Sequence, residues 1–187
     1  ELNKVTIKSL FEDENIRKLG FNLKNDMKIL LGHDIQIKGK IFDVQIAHYL
    51  LHPDMRNTIE IISENYLNYM LKEKNSILDM ANTKSLFSEI KSSLITEYAC
   101  ERSLAILNLT NTLEKEMITN EIKDLFEKIE LPLSKVLAKM ELEGIALNVN
   151  MLNRFSVDLT KKLDSISSRI YSLAGEKFNI SSPKPVS

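Results

Sequence analysis

The sequence has no tryptophan and few of the residues that interrupt helices: among 187 residues there are 5 Gly, 4 Pro and 1 Cys. Because glycine and proline are the residues least compatible with helix interiors, their scarcity favours a mostly helical fold over a sheet rich in turns. The single cysteine, Cys100, excludes an internal disulfide and favours a reducing, cytoplasmic setting. No run of about 18 apolar residues is present, so no membrane span is predicted.

Charge is nearly balanced, with 25 Lys and Arg against 26 Asp and Glu. Hydrophobic residues make up 43% of the chain, which is enough for the core of one ordinary domain or two small ones. A balanced chain has no overall attraction to nucleic acid, so any contact with DNA has to come from a local patch of charge.

The first part of the sequence predicts a parallel strand–helix–strand unit. Residues 16–21 indicate a short strand, residues 26–31 a helix stopped by Gly32, and the alternating isoleucines of residues 35–41 a second strand. This order and spacing suit a parallel crossover. Since two strands alone form a poor sheet, we expect further strands on the N-terminal side. The predicted fold class is α/β and mostly helical.

The rest of the sequence is predicted to be helical. Helices are expected at residues 43–51, 57–69 and 86–113, and then at residues 122–143, where Pro132 starts a new turn or kinks the helix.

Two long amphipathic helices, residues 122–143 and 150–174, are expected to form an antiparallel hairpin. Gly144 ends the first helix, while Asn150 caps the second and Gly175 closes it. Apolar residues at three- and four-residue steps define the buried seam of this hairpin. The seam residues are Leu133, Val136, Leu137, Met140, Leu152, Phe155, Leu159, Leu163 and Ile166.

Asn22 and Asp26 lie four residues apart at the first strand-to-helix turn. A carboxylate there can face the cleft at the C-terminal end of a strand, where ligands bind in open α/β sheets. The same residues are ordinary helix starters, so the pair alone leaves a structural role open. Asp43, at the end of the second strand, is predicted to be an N-cap.

Tyr98 and Arg102 lie one helical turn apart, so they project from one face of the long helix. The tyrosine suits either catalysis or a half-buried position in the core, and the cation of Arg102 opposes the binding of a metal ion. The three histidines, His33, His48 and His52, are predicted to be structural, because no glutamate follows His48 as in a His-Glu-x-x-His motif.

The end of the sequence combines hydroxyls and cations in a segment that is expected to be extended and polar. Lys177, Ser181, Ser182 and Lys184 can all contact phosphates, which position DNA without reading its sequence. From these residues alone, DNA contact and an ordinary solvated surface both stay open.

Residues 20–26, together with Tyr98-Ala-Cys-Glu-Arg102, resemble two motifs of the 3′–5′ exonuclease domain of the family A DNA polymerases. In that family the residue four positions after the tyrosine is an aspartate that binds metal, and Arg102 stands in its place. The family's first motif, Asp-x-Glu, occurs nowhere in the 187 residues, and Pro185 stands where a glutamine is usual. The resemblance continues in order through residues 10–20, 42–56, 64–67, 126–133, 136–144 and 174–184.

The resemblance implies an incomplete RNase H-like exonuclease domain over residues 1–118 and the start of the polymerase thumb over residues 119–187. The parent is then a DNA-directed DNA polymerase I, a nucleotidyltransferase of DNA replication and repair that uses Mg²⁺. It binds a primer–template duplex through its thumb. By resemblance, Asp26 and Tyr98 take vestigial catalytic positions, and Asp26 is the candidate metal ligand. The positions that contact DNA are Asn22, Lys177, Ser181, Ser182 and Lys184.

Arg102 leads to the hypothesis that the exonuclease domain is degenerate and inactive, so that no cofactor is expected in this chain. The alternative is a non-catalytic nucleic-acid-binding or scaffold module derived from the same family. Whether the chain is itself an enzyme therefore stays open, and no feature of the sequence indicates a protein partner.

Overall fold

The computed structural model describes residues 2–72 and 92–182, and the chain divides into two compact units, residues 1–144 and 145–187. The described part is mostly helical, with a small parallel sheet of two strands. Its elements in chain order are α1 (Leu2–Glu12), β1 (Lys18–Gly20), α2 (Leu23–Leu31), β2 (Ile41–Asp43), α3 (Val44–Leu51), α4 (Ile59–Leu67), α5 (Ser92–Thr119), α6 (Lys123–Leu125), a π-helical segment (Phe126–Glu130), α7 (Leu131–Glu143) and α8 (Val149–Ala174). None of the described helices is long and apolar enough to cross a membrane.

The predicted parallel pair of strands is confirmed, with Leu19 of β1 opposite Phe42 of β2. The predicted position of the second strand is wrong, because β2 begins only at Ile41. The preceding loop is fixed by a buried Ile35 and by the N–H of Lys38, which donates to the carbonyl of Phe11 at 3.0 Å. The alternating isoleucines therefore anchor a loop rather than line a strand.

The core of the first unit lies between the sheet and the helices that follow it. Phe42 of β2 packs against Phe126 of the π-helical segment, with ring centroids 5.0 Å apart. Around this pair, α5 buries one complete stripe, since Leu109, Leu113 and Met117 are each at most 1% exposed. Burying a side chain of this size contributes about 1.5–3 kcal/mol, so this cluster is the main apolar contribution to the unit.

Asp43 confirms its predicted role as an N-cap and also has a second role. One carboxylate oxygen accepts hydrogen bonds from the amides of Gln45 (2.9 Å) and Ile46 (3.4 Å) at the start of α3. The same carboxylate accepts from the amides of Asn22 (3.2 Å) and Leu23 (2.7 Å) at the start of α2. Because the first amides of a helix have no partner within that helix, one buried side chain satisfies two helix starts at once.

Helix α7 packs on α2 through a face of small residues. Its buried residues are Leu131, Ser134 and Ala138, and the hydroxyl of Ser134 donates to the carbonyl of Leu131 at 2.8 Å. The contact ends in an ion-pair cluster in which the amines of Lys24 and Lys28 lie 2.5 and 2.7 Å from the two carboxylate oxygens of Glu141. The hydrogen bonds from these two lysines lower the pKa of Glu141 to about 2. The small side chains of Ser134 and Ala138 therefore lie in the contact between α7 and α2. The ion pairs of Lys24 and Lys28 with Glu141 link the two helices at its exposed end.

The predicted hairpin would join α7 of the first unit to α8 of the second, and it stays a prediction; within each unit the seam residues are at least partly exposed. The nine seam residues are between 36% exposed at Leu137 and 62% exposed at Met140 and Leu163. On α7 the reason is that the small residues face the core and the large apolar residues face outward. On α8 no residue is buried, because the described part of residues 145–187 holds no second helix for it to pack against.

The bounds of α8 differ slightly from the prediction. Asn148, rather than Asn150, is the N-cap, and its side-chain oxygen accepts from the amide of Met151 at 3.0 Å. Gly144 and Gly175 end α7 and α8 as predicted, with φ of 77° and 78°. At these angles an L side chain is strained, which explains why glycine stands at both positions.

We predict that Asp43→Ala lowers the free energy of unfolding by about 2–4 kcal/mol, because each lost N-cap costs about 1–2 kcal/mol. Urea denaturation followed by circular dichroism measures this change. Asp54→Ala, at an exposed aspartate, is the matched control and should change stability by less than about 0.5 kcal/mol. Equal stability of the two variants would refute the double cap.

Candidate functional site

The C-terminal ends of β1 and β2 meet at one edge of the sheet, because the strands are parallel. Asn22 follows β1 in the left-handed conformation, with φ of 61° and ψ of 48°, which asparagine tolerates better than most residues. Its amide is directed at the Asp43 carboxylate, and its side chain is exposed and makes no capping bond. The edge thus holds Asn22 and Asp43 together.

Asp26 lies in the first turn of α2 on the same edge and is exposed. Desolvation by the surrounding protein raises the pKa of Asp26, and the nearby Asp43 carboxylate raises it further. Burial likewise raises the pKa of Asp43, and its four amide hydrogen bonds oppose this shift. Two carboxylates therefore share one edge, but only Asp26 has oxygens free of backbone amides.

This set of donors does not fit a divalent cation. Mg²⁺ takes a nearly octahedral set of oxygens, including carboxylates with free lone pairs, and the oxygens of Asp43 are directed at two helix starts. Over residues 2–72 and 92–182, no group of three or more His, Cys, Asp or Glu could hold a metal ion. The assignment of Asp26 as a metal ligand stays a prediction.

Arg102 lies over the ring of Tyr98, with its guanidinium carbon 4.2 Å from the ring centroid. This is the geometry of a cation–π contact between residues one helical turn apart. Tyr98 is partly buried, as predicted for a core aromatic. Tyr98 and Arg102, which the family resemblance places in a catalytic motif, therefore stack against each other on α5.

Arg102 also joins α5 to α4 and to the segment that follows α4. It forms an ion pair with Glu60, and its guanidinium donates to the carbonyl of Lys72 at 3.1 Å. Burial alone would raise the pKa of Glu60, but the hydrogen bond from Arg102 and its charge contribute to holding that pKa below its ordinary value. The position where the family has a metal-binding aspartate thus holds a structural cation with its own counter-ion.

The structure does not bring Asp26 and Arg102 into contact. In the described ranges no ion pair joins them: Asp26 lies near Asp43, whereas Arg102 lies against Tyr98 and Glu60. Sequence reasoning missed Glu60, which is 42 positions away from Arg102. Only its charge, opposite to that of Arg102, could have suggested the pair.

Two of the three histidines, His48 and His52, belong to a polar cluster. His48 is fully buried, and its Nδ1 lies 3.2 Å from Oδ1 of Asn57. The ring of Tyr66 lies within about 6 Å of both His48 and His52, as centroid distances of 6.0 and 6.1 Å show. His52 reaches Glu116 of α5 at 3.4 Å, so the cluster links α3, α4 and α5.

The proposed DNA-contacting tail is folded where the structure describes it. Tyr171 packs edge-to-face against Phe178 at 5.8 Å and donates from its hydroxyl to the carbonyl of Phe178 at 3.1 Å. Ser181 donates its amide to the side chain of Asn179, which makes a turn rather than the predicted extended segment. Lys177 is exposed, as is Ser181, and Ser182 is partly buried, whereas Lys184 and Pro185 lie outside the described residues.

A family model described as 3′–5′ exonuclease, from the family A DNA polymerases, matches residues 4–118. The chain belongs to this family. Similar curated proteins are DNA polymerase I of Bacillus subtilis (29% identical over 95% of this chain and 20% of that protein), of Lactococcus lactis subsp. lactis (32%, 84% and 18%) and of Borreliella burgdorferi (30%, 94% and 19%). The chain thus spans about a fifth of the length of these relatives.

The fold of this exonuclease-family chain is also similar to that of a solved structure. The POL domain of Pol1 from M. smegmatis, in complex with DNA primer-template and dNTP, aligns with a TM-score of 0.75 and 24% identity. The alignment covers 99% of this chain and 29% of that one. At this identity the similarity supports the fold and not the activity.

The histidine cluster predicts that the stability of this exonuclease-family chain depends on pH. Desolvation lowers the pKa of His48 and the charge of His52 adds to this, while Asn57 and Glu116 oppose it. Because the unfolded chain binds a proton near the ordinary pKa of 6.5 and folded His48 binds it only at lower pH, stability is complete above that value and falls as pH falls below it.

We therefore predict that the free energy of unfolding falls from about pH 7.5 to about pH 5.5, with His48 contributing at most about 1.4 kcal/mol per pH unit. In His48→Asn, which keeps a donor toward Asn57, the slope should be smaller. The exposed His33→Asn is the matched control and should keep the slope of the unsubstituted protein. The same slope in all three proteins would show that His48 is not the titrating group.

Proposed function

We propose that this chain is part of a DNA polymerase I whose 3′–5′ exonuclease domain has lost its hydrolytic activity. Family membership and the DNA polymerase I relatives support the first half of this proposal. The observation that carries the second half is the ion pair of Arg102 with Glu60, at the position where the family resemblance requires a metal-binding aspartate.

The charge at Arg102 is what makes hydrolysis unfavourable. Two-metal hydrolysis of a phosphodiester needs several carboxylates around cations about 3.5–4 Å apart. A cation about 4 Å from a guanidinium is repelled by about 4 kcal/mol per unit charge at an effective dielectric constant near 20. Among these 187 residues no Asp-x-Glu adds ligands beside Asp26, which bears on the activity of this chain and not on that of the parent. Asp26 alone then cannot assemble the site.

Residues 119–187 are proposed to be the start of the thumb, and residues 1–118 the degenerate exonuclease-like part. The solved structure with a similar fold carries a DNA primer-template, which supports DNA as the ligand of the parent. The exposed Lys177 and Ser181, which follow α8, are suited to phosphate contacts. We propose that the intact parent has further domains and uses Mg²⁺ to transfer nucleotides. Its processes would be DNA replication and repair, in the cytoplasm.

We predict no 3′–5′ exonuclease activity in this chain or in its Arg102→Asp variant, because one added carboxylate cannot replace the several that two metals need. A single-stranded oligonucleotide labelled at its 5′ end, incubated with Mg²⁺ or Mn²⁺, reports stepwise shortening. Asp26→Ala controls for a contaminating nuclease, and Arg102→Gln controls for the loss of the ion pair with Glu60. Shortening by the unsubstituted chain that Asp26→Ala abolishes would overturn the proposal.

We predict that Lys177→Ala/Lys184→Ala weakens duplex binding equally for all sequences. The slope of log K against log salt should fall by about 1.8, because each phosphate that the variant no longer neutralises accounts for about 0.9. Fluorescence anisotropy with two duplexes of unrelated sequence measures both effects. The control, Lys4→Ala/Lys115→Ala, removes the same charge from two exposed lysines. An unchanged slope in the tail variant would remove the tail from the binding site.

A further inference from the structure

Two adjoining cavities open on the first unit, at the edge of the sheet where the strands begin. One, of about 460 Å³, lies between the start of β2 and the α6–α7 region, and the other, of about 310 Å³, lies between the loop before β2 and α7. Gly39 and Lys135 line both cavities, so the two adjoin each other, and we treat them together as one groove. This edge is opposite to the one that holds Asn22 and Asp43, because parallel strands begin together and end together.

Among the charged side chains that line this groove, cations outnumber carboxylates. We name it the basic groove after its six cations, and three carboxylates line it as well. The cations are Arg17, Lys38, Lys40, Lys123, Lys135 and Lys139, and the carboxylates are Glu14, Glu114 and Glu127. A chain with a net charge of −1 therefore has a local positive excess here, which is the condition for attracting an anion.

Half of these cations are already paired within the protein. Arg17 forms a two-point contact with Glu114 at 3.2 and 3.3 Å, and Lys123 lies 3.7 Å from both Glu114 and Glu127. Lys38 lies 3.5 Å from Glu12. These pairs hold the walls of the basic groove in place and leave little charge for a ligand.

The other three cations, Lys40, Lys135 and Lys139, are exposed and form no salt bridge within the described ranges. Lys18, at the start of β1 and only 7% exposed, lines neither cavity; it donates to the carbonyls of Asp13 and Lys38. The charge that is left for a ligand is therefore that of Lys40, Lys135 and Lys139.

We infer that the basic groove binds the phosphodiester backbone of a nucleic acid. Lys135 and Lys139 lie one helical turn apart, about 6 Å along α7, and Lys40 lies on the opposite wall, so the free charges follow the length of the groove instead of converging on one point. Such an array suits a polymeric anion better than a single small one. Lysine is also a compact point charge without the planar fork of arginine, which suits phosphate contacts that do not read sequence.

This inference rests on the proposed DNA-binding function, but it assigns a contact to residues 1–144 that is separate from the tail after α8. The test uses the whole chain and labelled single-stranded and duplex oligonucleotides in fluorescence anisotropy over a range of salt. In Lys135→Gln/Lys139→Gln the salt slope should fall by about 1.4 for the single strand and about 1.8 for the duplex, at about 0.7 and 0.9 per phosphate. Lys135→Arg/Lys139→Arg, which keeps the charges, should restore the slope.

The controls separate this inference from the proposed function. Lys4→Gln/Lys115→Gln removes two charges elsewhere and should leave the slope unchanged. If Lys177→Ala/Lys184→Ala loses affinity and the groove variant does not, the inference fails and the proposed function stands. If the unsubstituted chain binds neither oligonucleotide, both fail. Displacement of the oligonucleotide by inorganic phosphate at equal phosphate concentration would assign the groove to a small anion and overturn the inference.

Discussion

The buried carboxylate of Asp43 is the interaction on which the rest of the first unit depends. It stands at the end of β2, it starts α3, and it accepts from the amides with which α2 begins, so a single group sets the direction of three elements. A buried charge is costly unless hydrogen bonds compensate it, and here four amides at two positive helix ends do so. The same hydrogen bonds direct most of the accepting capacity of Asp43 at the two helix starts, since Oδ1 accepts from three amides and Oδ2 from one. At this edge of the sheet, where open α/β folds bind ligands, Asp43 therefore has a structural role. Asp26 lies near it, but no second carboxylate there is free of backbone amides.

The helices after α5 belong to the same core as the sheet, although the family match ends at residue 118. Phe126 packs on Phe42, and α7 packs on α2 through Ser134 and Ala138. Because small side chains let two helix axes approach closely, the face of α7 that looks only weakly apolar in the sequence is the buried one. Its large apolar residues, and those of α8, stay exposed. Exposed apolar stripes of this extent are typical of surfaces that other protein segments cover.

Much of the fold could be predicted from sequence because it depends on local signals. The N-cap at Asp43 and the glycines that end α7 and α8 are determined by residues within a few positions of each other, and the parallel strand pair follows from the short crossover between β1 and β2. The failures have a common origin in long-range packing. Residues 35–40 alternate like a strand but anchor a loop to α1, and the residues that α7 buries in the first unit are Leu131, Ser134 and Ala138 rather than its outward-facing apolar residues. At the site, Asp26 and Arg102 could be found from motif spacing, whereas Glu60, the partner of Arg102, depends on how α4 meets α5 and leaves no local signal.

A gain in stability does not account for the arginine at position 102. Its Nε is buried without a hydrogen-bond partner among the described residues, and an unmade bond of this kind costs about 1–3 kcal/mol. An ion pair that is partly buried is weak evidence for stabilisation, since desolvation offsets much of the Coulomb attraction. The pair nevertheless restricts change, because removal of Arg102 leaves Glu60 without its counter-ion beside an apolar core. In Arg102→Asp, the new carboxylate would face that of Glu60, which now has the Arg102 cation as its partner. The ion pair of Arg102 with Glu60 thus links α5 to α4 at the position that the family resemblance assigns to a metal-binding aspartate.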